Sequence, residues 1–111
     1  LLELLAAPRW EVDDLDDADL AAERDEARGH AHFALGAWEE SATAFRAAVA
    51  HNAQFRGAPR PALLADLAHA LVAAGQREEA RAAVLRSLEL DPSQERMQRL
   101  RAALERSEGG S

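Results

Sequence analysis

The sequence predicts an all-α protein, an antiparallel helix-pair solenoid of five to six helices. Hydrophobic residues make up 48% of the 111 residues but aromatic residues only 5%, so Ala and Leu supply most of the apolar surface. This composition favours closely packed helices over strands, which prefer β-branched and aromatic side chains. Apolar residues also recur at steps of three and four, and Gly or Pro interrupts these runs at intervals suited to short helices. We therefore expect a single domain with its own core.

Residues 1–21 are predicted to hold part of a helix followed by an acidic loop. Leu1–Ala7 is apolar and helix-prone, and Pro8 cannot continue its hydrogen-bond ladder. Trp10–Asp19 contains six acidic residues and no basic one, which disfavours a helix through charge repulsion. We interpret it as a solvated loop that caps the next helix, with docking of a basic partner as the alternative.

Two helix pairs are predicted next, at residues 22–55 and 61–94. In the first pair, Gly36 separates a helix that ends near Leu35 from a second helix at about Trp38–His51. The second helix is expected to bury an edge of its surface, formed by Trp38, Ala42, Phe45 and Val49.

The second pair, Pro61–Gln94, spans 34 residues, and Gly75 separates its helices. When Gly36 is aligned with Gly75, the two pairs are offset by 39 residues, five more than the length of the second pair. The Gly and Pro residues of Asn52–Arg60 predict a lengthened connection that holds this surplus.

A capping helix is predicted at residues 95–106, with its first turn beginning at about Pro92. Asp91 and Gln94 have the spacing of a capping box. The apolar side of this helix is expected to cover the exposed edge of the second pair, and residues 107–111 are expected to form a flexible tail.

The order of residues in Pro61–Gln94 resembles the repeat signature W-x2-L-G-x2-Y…A-x3-F…P of the tetratricopeptide-repeat family. The matching positions are Leu64, Leu67, Ala68, Leu71, Ala80, Val84 and Pro92. The first pair is a weaker copy of this unit. Its Gly29, Ser41, Phe45 and Ala48 fit the pattern, but Asp25, Arg28 and His32 stand where bulky apolar residues are usual. Another kind of helical-hairpin solenoid remains the alternative.

The resemblance implies helix pairs stacked into a right-handed superhelix, in which the first helix of each pair lines a peptide-binding groove. It places His30 and His69 at equivalent positions of neighbouring helices, in a groove of mixed apolar and acidic character. Members that clamp acidic chaperone tails use Lys, Arg and Asn on these stripes, so we expect a neutral or basic peptide with apolar anchors instead. The candidate partner-binding residues are Glu23, Glu26, His30, Phe33, Ala62, Asp66, His69 and Val72.

The sequence predicts neither a cofactor nor a metal site, although His30, His32 and His69 with Glu26 or Asp66 supply suitable donors. His30 and His32 are two positions apart, which on a helix points them about 160–200° away from each other, and the spacing H-E-x-x-H is absent. The chain also contains no Cys, no G-x-S-x-G motif and no Gly-rich phosphate loop. We therefore expect no enzymatic activity.

A protein-interaction module or scaffold is the predicted function. Self-association through Leu1–Leu5, giving a homo-oligomer, and a regulatory role within a larger enzyme or transcription regulator are the alternatives. The net charge of −7 argues against nucleic-acid binding. No apolar run approaches the roughly 20 residues that span a bilayer, so membrane insertion is not expected. No feature specifies a compartment, and we expect the cytoplasm.

Overall fold

A computed structural model describes residues 20–109, with side chains to Arg106, and this part of the chain folds into five α-helices. The predicted helix at Leu1–Ala7 and acidic loop at Trp10–Asp19 lie outside the described residues. Within residues 20–109, no helix combines the length and the apolarity needed to cross a membrane. The all-α prediction is confirmed. The helices are α1 (residues 20–34), α2 (Trp38–Arg56), α3 (Pro61–Ala73), α4 (Arg77–Leu90) and α5 (Glu95–Gly109).

The two predicted helix pairs turn in the same way. Gly36 and Gly75 both adopt left-handed backbone conformations, with φ of 77° and 80°. The residue after each glycine donates its N–H to a carbonyl five positions earlier, and both of these hydrogen bonds, Ala37 to His32 and Gln76 to Leu71, measure 2.9 Å. A helix end of this kind needs a residue with positive φ, which glycine adopts without steric cost. The turns thus support the 39-residue offset between the pairs.

The five surplus residues of the first pair lie in a helix rather than in a loop. Helix α2 has 19 residues and its counterpart α4 has 14. The prediction that α2 ends near His51 is therefore wrong, because no residue breaks the helix before Gly57. Gly57 has a φ of 84° and donates its N–H to the carbonyl of Ala53 at 2.7 Å. Asn52, predicted to lie in a loop, is buried, and its Oδ1 accepts the N–H of Arg60 at 2.7 Å.

The core is built mainly from Ala and Leu. Helix α3 is the most deeply embedded helix among the described residues, and Met97 and Leu104 of α5 close the core at one end, as predicted for a capping helix. Of the four α2 residues predicted to be buried, Ala42, Phe45 and Val49 are buried, but 38% of the surface of Trp38 is exposed. The largest fully buried side chains are Phe45, Leu63, Leu71, Met97 and Val84.

Helix α5 begins at Glu95, without the predicted first turn at Pro92, and ends later than predicted. It starts at Glu95 because the Oδ1 of Asp91 accepts hydrogen bonds from the N–H and the Oγ of Ser93, at 3.1 and 2.6 Å, which forms a turn. The side chain of Gln94 donates to the carbonyl of Ser87 instead of completing a capping box. The helix continues to Gly109, so the prediction of a flexible tail is wrong for residues 107–109.

Candidate functional site

A groove runs along the side of the protein formed by α1, α3 and α5. One pocket in it has a volume of about 190 Å³ and is lined by side chains from four helices. A neighbouring pocket of about 330 Å³ lies between α3 and α5 and shares Asp66 and Arg96 with the first. We refer to the surface of these two pockets as the groove. The first pocket is lined by His30, Phe33, Phe45, Asp66, His69 and Arg96.

Charged side chains connect α1 with α3 at the edge of the groove. Glu26 and His30 are one helical turn apart on α1, so their side chains lie on the same face. The Nε2 of His30 lies 3.4 Å from the Oδ2 of Asp66 and 3.9 Å from the Oε2 of Glu26. The other carboxylate oxygen of Glu26 accepts a hydrogen bond from the guanidinium of Arg60 at 2.5 Å. This cluster joins the first helix pair to the second.

On the other side of Asp66, His69 connects α3 with α5. The Nη2 of Arg96 lies 3.0 Å from the Nε2 of His69. A guanidinium can only donate, so the Nε2 is the acceptor and the proton of the neutral ring lies on Nδ1. Burial lowers the pKa of His69, and the positive charge of Arg96 acts in the same direction. His69 is therefore neutral at neutral pH.

Burial also raises the pKa of the Asp66 carboxyl group, although the nearby His30 opposes the shift. Within residues 20–109, no Arg forms an ion pair with Asp66. The structure thus holds a partly buried carboxyl group between two histidines. Its burial outweighs the opposing positive charge of Arg96 and disfavours its charged form.

Aromatic side chains form the apolar part of the groove. The ring of Phe45 forms part of the pocket lining, and the ring of His30 meets it edge-on, at a centroid distance of 5.0 Å and an angle of 84°. Phe33 is 37% exposed and packs edge-on against Trp38 at 4.9 Å. Exposed aromatic side chains of this kind are frequent anchors in interfaces.

Six of the eight candidate residues predicted from the sequence line the groove or belong to its charged cluster. The structure brings Glu26, His30, Phe33, Asp66 and His69 together and places Ala62 in the neighbouring pocket. Glu23 and Val72 are exposed on the same helices but line neither pocket.

Sequence reasoning missed Arg60 and Arg96. Arg60 is predicted to lie in a loop, and Arg96 to lie in the capping helix, where its interpretation is ordinary surface pairing with contact to an acidic partner as the alternative. A direct signal for Arg60 was available, since it immediately precedes the proline that begins α3 and so lies beside the groove helix.

His32 lies on a different side of the protein from His30, as its spacing predicted. With Asp25 and Arg28 it lines a pocket of about 500 Å³ between α1 and α2. The residues equivalent to these three in the second pair, Leu64, Leu67 and Leu71, are all buried in the core. Among the described residues, Asp25, Arg28 and His32, which replace the usual bulky apolar residues of the repeat, thus line a solvent-accessible pocket.

The stacked helix pairs and the groove on the side of the first helices define a helical-repeat protein. A profile of the tetratricopeptide repeat family matches residues 32–104, about two thirds of the chain, from the last turn of α1 into α5. The chain belongs to the tetratricopeptide-repeat family. Comparisons with curated proteins and with solved structures find no match. Members of this family are generally protein–protein interaction modules and are typically not enzymes.

Proposed function

We propose that the groove binds a neutral or basic peptide segment of a partner protein, held by apolar anchors. The family supports binding of a protein partner, and the groove provides a concave surface of peptide dimensions that extends over α1, α3 and α5. Its open position on the surface suits a chain segment better than an enclosed small molecule.

The two pockets of the groove are lined by two acidic and two basic side chains, Asp66, Glu95, Arg96 and Arg99. The preference for a basic ligand therefore depends on Asp66 alone. Arg60 is paired with Glu26, and Arg96 donates to His69. Asp66 has no ion pair with an Arg in the described part of the chain, and its carboxyl group is partly buried. A Lys or Arg side chain of a ligand would stabilise the carboxylate form that burial disfavours. This partly buried carboxyl group, whose ion-pair partner among the described residues is His30, is the observation on which the proposed charge preference rests.

The apolar contribution would come from Phe33, which is 37% exposed, while Phe45 lines the pocket as a buried ring beneath the surface. Val72, which is 36% exposed on α3, extends this surface on the predicted stripe. Large apolar side chains in a partly enclosed pocket usually carry most of the binding energy of an interface. The peptide is therefore expected to carry at least one large apolar residue near its basic residue.

Fluorescence anisotropy with three labelled peptides of the same apolar sequence, carrying basic, neutral or acidic flanks, tests the charge preference. We expect the basic peptide to bind most tightly and Asp66→Asn to weaken its binding roughly 10-fold, since about 1.4 kcal/mol of charge pairing is lost. Glu78→Gln is the matched control, because Glu78 is an exposed carboxylate on α4 outside the groove. Tighter binding of the acidic peptide would refute the proposal and would indicate Arg96 as the anion-binding residue.

The apolar anchor is tested with Phe33→Ala. We expect this variant to weaken binding of all three peptides by a similar factor of about 10 or more. Phe55→Ala is its control, because Phe55 is 47% exposed on α2 and lines neither pocket of the groove. Equal losses in the two variants would place the peptide elsewhere on the surface.

A further inference from the structure

Glu26, His30 and Asp66 place three metal-binding side chains around one point. Each offers one ligand atom, and the three atoms all lie within 4.8 Å of one another. Two of the donors come from one face of α1, where residues four apart are neighbours, and the third comes from α3 in the next repeat. One imidazole nitrogen and two carboxylate oxygens form a donor set that binds zinc in proteins.

The separations between the donors are close to those that a zinc ion requires. Ligands at about 2.0–2.2 Å from a tetrahedral zinc ion lie about 3.3–3.6 Å from one another. The Nε2 of His30 is 3.4 Å from the Oδ2 of Asp66 and 3.9 Å from the Oε2 of Glu26. The third separation, between the carboxylate oxygens of Glu26 and Asp66, is at most 4.8 Å, so binding of zinc would require these side chains to rotate towards each other.

In the part of the chain that the structure describes, the ligand nitrogen of His30 forms no hydrogen bond with a carboxylate. A hydrogen bond to either carboxylate would have a length of about 2.9 Å, but both oxygens lie farther away than that. Within residues 20–109, the Nε2 is thus flanked by two acidic oxygens and hydrogen-bonded to neither. A cation shared by the three groups would satisfy all of them.

Neighbouring side chains contact Glu26 and His30 and fix their orientation. Arg60 bonds the Oε1 of Glu26 and leaves the Oε2 directed towards His30. The ring of Phe45 contacts the ring of His30 edge-on. Such outer contacts orient metal ligands. The side chain of His30 is 56% exposed, which leaves the ion a route from solvent and room for a water molecule as fourth ligand.

We propose that Glu26, His30 and Asp66 form a zinc site that links the first helix of one repeat to the first helix of the next. The sequence-based expectation of no metal site rested on the spacing of His30 and His32, although it counted Glu26 and Asp66 among the suitable donors. The site does not require a peptide, but zinc would occupy the Asp66 carboxylate that the peptide proposal assigns to a basic side chain, so zinc and a basic peptide would compete there. A bound zinc ion would tie α1 to α3 and reduce the relative motion of the two repeats.

Isothermal titration of the full tag-free chain with zinc at neutral pH, without peptide, tests the site. We expect one ion per chain and a rise in Tm of roughly 10 °C when free zinc exceeds the Kd about 100-fold. His30→Asn and Asp66→Asn should each weaken zinc binding at least about 10-fold, the smallest loss usual even for outer contacts of a metal site. Calcium and magnesium should bind at least about 10-fold more weakly than zinc, because they prefer all-oxygen sites.

His51→Asn is the matched control, since the Nε2 of His51 lies 3.6 Å from the Oδ2 of Asp25 but has only that one carboxylate as an ion-pair partner among the described residues. We expect it to leave the zinc affinity unchanged. Phe33→Ala should also leave it unchanged while weakening the peptide, which separates failure of this site from failure of the peptide proposal. Equal losses in His30→Asn and His51→Asn, or no zinc binding by the wild-type chain, would overturn the assignment.

A spectroscopic measurement covers the case in which a variant does not fold. Cobalt added to the wild-type chain should give the intense visible absorption of a four-coordinate site, and zinc should abolish it. Nitrogen-detected imidazole NMR should show a large shift of the His30 Nε2 on addition of zinc. A zinc-dependent shift confined to the other histidines would refute the role of His30.

Discussion

Gly29 faces the ring of Phe45 where α1 packs against α2. A β-carbon at position 29 would lie 2.7 Å from the Cδ1 and Cε1 of that ring, well inside van der Waals contact. The equivalent residues of the second pair are Ala68 and Val84, both fully buried. A larger residue in one helix is thus matched by a smaller residue in the other. We predict that Gly29→Ala destabilises the protein and that Phe45→Val reverses the sign of this effect.

The magnitude follows from two opposing contributions. Overpacking a core by one methyl group typically costs about 1–3 kcal/mol. Replacing Gly by Ala inside a helix contributes about 1 kcal/mol of stability. We therefore expect Gly29→Ala to lower the free energy of unfolding by about 1 kcal/mol in the wild-type chain. In Phe45→Val the steric overlap is removed, so the same change should raise it by about 1 kcal/mol, a coupling of about 2 kcal/mol.

Urea unfolding of the four proteins of this double-mutant cycle measures the coupling directly. Ala68→Gly in the second pair is the matched control. It should cost about 1 kcal/mol or more, because no large ring opposes it. If Gly29→Ala stabilised the wild-type chain as much as it stabilises Phe45→Val, the steric reasoning would be refuted. Such a result would also weaken the view that Phe45 is fixed firmly enough to orient His30.

Three further predictions concern contacts between helices. Arg46 of α2 forms two hydrogen bonds to the carboxylate of Glu79 on α4. Arg46→Gln should lower the free energy of unfolding by no more than about 1 kcal/mol. This difference should shrink when urea unfolding is repeated at high salt. The hydrogen bond from Arg46 holds the pKa of Glu79 below its ordinary value. This stabilisation is fully present above that ordinary value and is lost as the pH falls through the lowered pKa, so the unfolding free energies of wild type and Arg46→Gln should converge in acid. Asn52→Ala should cost about 1–3 kcal/mol in urea unfolding, because it leaves the N–H of Arg60 without its acceptor; the exposed Gln54→Ala should change the value by less than about 0.5 kcal/mol. A large loss in Arg46→Gln that does not change with salt would contradict the first expectation. Unfolding free energies of wild type and Arg46→Gln that stay equally far apart in acid would contradict the second. Equal effects of Asn52→Ala and Gln54→Ala would contradict the third.

The groove could be predicted in part because helix periodicity fixes which residues of one helix share a face. Glu26 and His30 on α1, and Asp66 and His69 on α3, were placed correctly by that rule. The two repeats could be aligned through Gly36 and Gly75, so the neighbouring positions of the two histidine-bearing stripes followed. The contribution of Phe45 to the pocket was not predicted, because Phe45 belongs to α2 and reaches the pocket beside Gly29, which has no side chain.

The positive side chains of the groove could not be found in this way. Arg60 meets Glu26 across 34 positions of sequence, and Arg96 meets His69 across 27. Both contacts depend on the angle at which one helix crosses the next, which no local pattern encodes. The same limit affected the metal expectation, which counted Asp66 among the suitable donors but rejected a site on the spacing of histidines within one helix, because the sequence does not show how closely α1 and α3 approach.

What the sequence by itself determined is the set of helices, their pairing, and the faces that they bury. Gly and Pro set most of the boundaries, because they act through backbone geometry alone, and the spacing of Ala and Leu set the core. What only the tertiary structure decided is where the surplus residues lie and which charges meet. Asn52 became a buried helix residue because its side chain bonds the backbone of Arg60. The cluster of Glu26, His30 and Asp66 exists because packing brings together two helices that are far apart in the sequence.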